Sequence, residues 1–209
     1  MIEATTDPGR WASWRSAERR RLIAERLAMP AGERRRGADR IGATLDRIVG
    51  DASDLIVAVY WPIRGEPDLR GWIDSIRARG ARCALPVVVA PGVPLVFRRW
   101  DAGARLQPGI WNIPVPADGD RVTPHLVIAP VVGYDVAGYR LGYGGGYYDR
   151  TLAAAAPRPR AIGVGYARSA LPSIDPQPHD IPMDAIVTDG GVVPLSHQLS
   201  HFWSGTRNP

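Results

Sequence analysis

The apolar positions of this chain fall into short blocks separated by polar and proline-rich segments, and the spacing within the blocks changes along the chain. Residues 11–29 predict a helix in which Leu22, Ile23 and Leu27 form a narrow apolar face. Pro30 closes it, and a second helix is expected over about 32–49, with Ile41, Leu45, Ile48 and Val49 as its buried edge. Residues 54–60 are continuous and apolar, the pattern of a strand covered on both faces. Leu69, Trp72, Ile73 and Ile76 recur at helical spacing over 67–79, which places Trp72 in the core. Strands are expected next at 82–89, broken by Pro86, and at 93–100. A proline-punctuated loop covers 109–116 and a polar turn covers 118–123. The apolar run 126–133 reads as a strand feeding a glycine-rich stretch, and the alanine-rich run 151–156 favours helix. Short strands at 161–165, 185–188 and 192–193 close the pattern. Apolar strands alternating with helices imply a three-layer α/β fold with a mainly parallel sheet.

The most informative stretch is Gly138-Tyr-Arg-Leu-Gly-Tyr-Gly-Gly-Gly-Tyr-Tyr-Asp-Arg150. Strand, glycine loop and helix start together make a geometry in which backbone N–H groups converge on an anion. Arg140 adds a planar fork suited to phosphate oxygens, and Asp149 a hard oxygen of the kind magnesium prefers. It is no Walker A loop, since no Gly-Lys-Ser/Thr comes after the glycines. It is no dinucleotide fingerprint either, because Tyr147 stands where a third glycine would be, which argues against a nicotinamide oxidoreductase. Arg15, Arg19 and Arg26 share one stripe of the first helix. That stripe reads either as a solvated face or as phosphate hooks over a nucleotide. Ligands of open α/β sheets bind beyond the carboxyl ends of the strands, which brings in Trp61 as an aromatic wall and Glu66 as a hydrogen-bond acceptor. Glu66 reads equally as a carboxylate favouring a helix N-terminus; the plainer alternatives are the same for Asp149, a turn cap for Asp180, and a lid over the core edge for Trp111.

Composition narrows the classes. The 209 residues carry a formal charge of +5, and all 26 basic residues are arginine. The balance suits anionic ligands; it also suits nucleic acid, but acidic residues are interspersed and no helix-turn-helix, zinc or RNA-binding motif is present. The longest apolar run, 55–63, is too short to span a membrane, and residues 1–10 show no signal-peptide pattern. Cys83 is the single cysteine, which fits a reducing cytoplasm and a core position.

Arg140-Leu-Gly-Tyr-Gly-Gly-Gly-Tyr-Tyr-Asp149 resembles the signature of the 5-formyltetrahydrofolate cyclo-ligase family. Shorter matches occur in the family's order: Tyr60 through Glu66-Pro-Asp-Leu69, Leu85-Pro86, Trp111-Asn-Ile-Pro114, Ala129-Pro130, Tyr134-Asp135 and His179-Asp180. The resemblance implies a NagB/RpiA/CoA-transferase-like fold. It also implies ATP- and Mg2+-dependent conversion of 5-formyltetrahydrofolate to 5,10-methenyltetrahydrofolate, with release of ADP and phosphate. By that match Arg140, Leu141, Gly142, Tyr143, Gly144, Gly145, Gly146, Tyr147 and Tyr148 hold ATP, and Arg15 and Arg19 close over it. Tyr143 to Tyr147 border the folate together with Trp61, Glu66 and Trp111, while Asp149 and Asp180 bind the metal. Arg140 and Arg19 carry the catalytic charge, and Arg140→Ala should remove turnover with the fold intact. Arg15 departs from the lysine usual in the family, so a fork replaces a point charge. The expectation is one domain over 1–209, acting as a cytoplasmic monomer on small molecules, with helices 11–49 packed on the core and a mobile tail from about 196. The competing expectations are a relative that binds ATP or folate without turnover and, less favoured, a basic nucleic-acid binder.

Overall fold

The computed structural model describes residues 8–196; the expected tail beyond Ser196 lies outside them. In chain order the elements are α1 (Pro8–Ala28), α2 (Ala31–Val49), β1 (Ile56–Ala58), α3 (Arg70–Ala78), β2 (Arg82–Val87), β3 (Val96–Arg99), β4 (Leu106–Pro108), β5 (Pro114–Pro116), β6 (Arg121–Val122), β7 (Leu126–Pro130), β8 (Gly133–Tyr134), β9 (Arg140–Leu141), α4 (Tyr147–Ala154), β10 (Arg160–Gly165), β11 (Ala185–Thr188) and β12 (Gly191–Val192).

Eight strands form one twisted sheet in the order β12-β11-β10-β7-β1-β2-β3-β6. The five central strands, β11 to β2, are parallel. Both edges are antiparallel, through β12 on one side and β3 and β6 on the other. The sheet is therefore mixed but mainly parallel. Its strands are continuous apolar runs because both faces are covered. Along β1 and the residue after it, Val57 and Val59 pack with α2 and α3, whereas Ala58 joins the cluster around Leu152 of α4. Cys83 and Leu85 on β2 face the first cluster, and Ala84 the second. Burial raises the Cys83 thiol to about 11, consistent with an inert core residue.

Three sequence readings change. The strand at 126–133 does not lead straight into the glycine loop. The chain leaves β7 at Pro130 and makes a two-stranded hairpin, β8–β9, with Tyr134 opposite Arg140; the loop comes after β9. The stretch read as a polar turn at 118–123 contains β6, the sheet's edge strand. The helix expected from 151 begins at Tyr147, because Gly146 takes a left-handed conformation (φ 62°, ψ 18°) that starts the first turn there.

The face of α1 also differs from its apolar pattern. Leu27 is 53% exposed, while Arg15 and Arg26 are buried beside Leu22. A guanidinium can be buried when its donors are matched, and the acceptors here come from segments far along the chain.

Candidate active site

Adjacent parallel strands β1, β7 and β10 point their carboxyl ends the same way, and the segments leaving those ends meet at that edge of the sheet. β1 delivers the loop that carries Glu66. β7 delivers the hairpin and glycine loop. β10 delivers Tyr166, whose hydroxyl donates to the Gly65 carbonyl at 3.2 Å.

The glycine loop presents its main chain. Gly144 has φ 94°, a conformation hostile to a side chain, and a Cβ there would sit 3.4 Å from the Arg19 guanidinium. Among the described residues, no backbone N–H from Gly142 to Asp149 has a protein acceptor. The carbonyls, in contrast, are engaged from outside: Arg19 Nε donates to Gly142 at 2.5 Å, and Arg150 donates to Gly145. Unpaired N–H groups running into the first turn of a helix form an anion-binding concavity.

Asp135 fixes the hairpin that carries this loop. It is 2% exposed; its Oδ1 accepts from the N–H groups of Ala137 and Tyr139, and its Oδ2 accepts from Ile174 at 3.0 Å. One carboxylate thus ties the hairpin turn to the segment running toward Asp180.

The arginine stripe of α1 faces this assembly, which excludes the solvated-face reading. Arg15 donates to Asp180 at 2.6 Å and to the carbonyls of Ile174 and Asp175. Burial alone would raise the Asp180 carboxyl, but the bonds from Arg15 and the Gln177 N–H outweigh it and hold the group below its ordinary range. Arg19 lies over the loop, and burial together with the Arg15 charge lowers its proton affinity. Arg26 donates to the Arg64 carbonyl at 2.9 Å and to the Tyr143 hydroxyl at 2.6 Å.

Arg140 is a strut as well as a charge. Its side chain is 5% exposed, pairs with Asp149 Oδ1 at 2.9 Å, donates to the Ile181 carbonyl at 2.8 Å and lies over the Tyr148 ring. Asp149 Oδ1 also accepts from the Ile181 N–H at 3.0 Å. The two carboxylates expected to hold a metal are therefore each paired with an arginine. Among the described residues no three His, Cys, Asp or Glu side chains gather into a metal cage.

The aromatic candidates separate. Trp111 is 66% exposed and packs edge-on against Tyr147 of the glycine loop, with ring centroids 5.7 Å apart. It is not a lid over the core. Its φ of 57° is rare for a bulky residue. Trp61 instead packs against Trp100 at 5.9 Å, under Arg70. Glu66 is buried; Tyr143 donates to its Oε1 at 2.8 Å and the Ile63 N–H to its Oε2 at 2.9 Å.

The structure thus brings together Arg19, Arg140, Asp149, Glu66, Trp111 and residues 142–148, with Arg15 and Asp180 paired alongside. Sequence reasoning missed three contributors. Arg26 belonged to the stripe but could not be told from a surface arginine. Asp135 entered only as part of the short family match Tyr134-Asp135, with no role assigned. Arg150 closed the glycine stretch without an assigned partner.

This geometry can be set beside known proteins. The model of the 5-formyltetrahydrofolate cyclo-ligase family matches residues 12–189. The chain belongs to this family. A 5-formyltetrahydrofolate cyclo-ligase of Mycolicibacterium smegmatis is 30% identical over 195 residues, covering 87% of this chain and 97% of that protein. The Escherichia coli K12 cyclo-ligase is 33% identical over 144 residues, 65% of this chain and 79% of its own length. Among solved structures, Aquifex aeolicus 5,10-methenyltetrahydrofolate synthetase superposes with a TM-score of 0.76 at 28% identity, covering 93% of this chain and 99% of that one. The Mycoplasma pneumoniae synthetase gives 0.70 at 21% identity, covering 84% and 98%, and shows the shared fold. This cyclo-ligase family member is an enzyme of the ligase class in folate one-carbon chemistry.

Proposed function

We propose that this cyclo-ligase converts 5-formyltetrahydrofolate to 5,10-methenyltetrahydrofolate at the expense of ATP, with magnesium. The observation that carries the reading is the row of N–H groups from Gly142 to Asp149, unpaired among the described residues, beneath Arg19. Such a surface holds a polyanion and leaves the edge beside Trp111 and Glu66 for a flat, polar ring.

The formyl group is a poor electrophile with a poor leaving group. Its oxygen attacks the γ-phosphorus of ATP and ADP leaves. N10 then attacks the phosphorylated carbon, loses its proton, and phosphate departs with the C–O bond electrons. The protein's part is positioning and charge neutralisation. Loop N–H groups and Arg19 orient the phosphates; Arg140, behind the loop, fixes the first turn of α4. Glu66 accepts hydrogen bonds from the pterin edge, and Trp111 covers one face. Magnesium, when bound, neutralises phosphate charge. The donor set fits a cation carried mainly by phosphates and water, with Asp149 as a protein ligand, since both bonds to that carboxylate fall on Oδ1. Asp180 joins only by releasing Arg15. We assign the cytoplasm as its compartment, because the single cysteine is buried and forms no bridge; among the described residues no helix is long and apolar enough to cross a membrane.

Incubation with ATP, magnesium and 5-formyltetrahydrofolate should produce methenyl-folate absorbance with one ADP per turnover. Absence of both would discard the reading. A narrower test targets the loop. Gly144→Ala forces a side chain into a left-handed conformation against Arg19, at a cost of roughly 1–2 kcal/mol. It should raise the KM for ATP by about tenfold, measured by steady-state kinetics; an unchanged value would remove the loop from the nucleotide site.

A further inference from the structure

Arg26 takes no direct part in the chemistry above, yet it is 4% exposed and fully committed. Its guanidinium bridges three segments: the loop after β1 through the Arg64 carbonyl, the chain beyond β7 through the Val131 carbonyl, and the glycine loop through the Tyr143 hydroxyl. The Tyr143 hydroxyl accepts from Arg26 Nη2 and donates to Glu66 Oε1. Cation, phenol and carboxylate form a continuous chain from α1 to the acceptor expected to read the folate.

We propose that Arg26 is a positioning residue for the reaction: acting through the Tyr143 hydroxyl, it holds the Glu66 carboxylate aimed at the folate. The proposal rests on the cyclo-ligase reading of the site and adds a residue and a route to it. Because Tyr143 belongs to the phosphate-binding loop, the same side chain joins the nucleotide and folate halves of the site. A loop displaced from its bound position also releases Glu66.

The electrostatics support the route. Burial pushes the Glu66 carboxyl up, toward neutrality. The Ile63 N–H and the Tyr143 hydroxyl oppose that by bonding the anion, as do the charges of Arg26 and Arg64, without cancelling it, so the group stays above its ordinary range and depends on each of them. The other titratable groups facing it are Tyr60, Tyr148 and Tyr166, all of them phenols held neutral by burial. Arg26 and Arg64 are thus the cations balancing this carboxylate, and Arg64 is exposed while Arg26 is dry. A buried cation is screened less than an exposed one, so Arg26 is the stronger influence.

Removing Arg26 raises the Glu66 carboxyl further, so the group takes a proton as pH falls and stops accepting from the pterin. Folate binding should then weaken toward acid. The test is 5-formyltetrahydrofolate affinity, read by tryptophan fluorescence quenching between about pH 6 and pH 8, for the full-length protein and for Arg26→Met, Arg26→Lys and Tyr143→Phe. The parent protein should lose the least affinity toward acid. Arg26→Met should lose clearly more at the acid end than at the alkaline end, because its carboxyl takes a proton at a higher pH than the parent's. Arg26→Lys should restore much of the parent's profile. Tyr143→Phe keeps the cation but cuts the chain, and should show the same acid weakening if Arg26→Met proves too unstable to assay. A profile no steeper than the parent's in both Arg26→Met and Tyr143→Phe, whatever the absolute affinity, would make Arg26 a structural strut only. Binding without turnover by the parent would sink the activity reading and leave this one standing.

Discussion

Arg140→Ala should lose most turnover and also a substantial part of its stability. The sequence alone suggests a phosphate ligand whose removal spares the fold. The structure shows a side chain 5% exposed, paired with Asp149 at 2.9 Å and bonded to the Ile181 carbonyl. Deleting it strands a largely buried carboxylate in the first turn of α4. Breaking such a pair from one side costs about 3–5 kcal/mol. Glycine-loop geometry depends on that turn, so catalysis falls with it. Chemical denaturation should show the lower midpoint, and kcat/KM the lost activity. Arg140→Lys keeps the charge but not the fork that reaches both acceptors, and should lie between the two. A variant inactive yet as stable as the parent would return Arg140 to a purely ligand-facing role.

The second large effect is expected at Asp135, which no substrate needs to touch. Asp135→Ala leaves the N–H groups of Ala137, Tyr139 and Ile174 without their acceptor. The buried Ile174 donor so stranded costs roughly 1–3 kcal/mol, and the half-buried Ala137 and Tyr139 donors less. The damage should be local before it is global. Hydrogen exchange at those three amides should accelerate more than exchange in the β1, β7 and β10 core. Activity should fall because Arg140 and Asp180 lie on the two segments that Asp135 joins. Uniformly faster exchange across the sheet would mean instead that the hairpin is part of the folding core.

Much of this was legible in the residues. Continuous apolar runs at 55–60, 126–130 and 161–165 identify doubly covered strands, and the spacing of Leu69, Trp72, Ile73 and Ile76 identifies the helix between two of them. The glycine stretch suggests an anion site because its tyrosines, arginines and aspartate exceed what a turn requires, and that reading carries the proposed function. What stayed hidden has a physical cause. β8 and β9 are two residues each, too short for alternation to register, so the hairpin between β7 and the loop was invisible. The arginines of α1 share a stripe by spacing, but spacing does not say which way a stripe faces. Apolar residues would have decided that, and the answer went against Leu27 because main-chain oxygens from the glycine loop and from residues 174–175 satisfy the guanidiniums. Trp61 looked like a ligand wall from its place after a strand; its actual neighbour, Trp100, lies across the sheet in a segment no local pattern connects to it.

Besides Asp180 and the Tyr143 hydroxyl, the guanidinium groups of helix α1 grip peptide oxygens of Arg64, Val131, Gly142, Ile174 and Asp175. A peptide oxygen is supplied by every amino acid. Replacing the side chain at any of those five places therefore leaves the anchorage chemically intact, so long as the local chain path survives. Mutational sensitivity at this seam should be lopsided, concentrated on the gripping residues of the helix and on the Asp180 and Tyr143 side chains they also hold, and slight at those five positions.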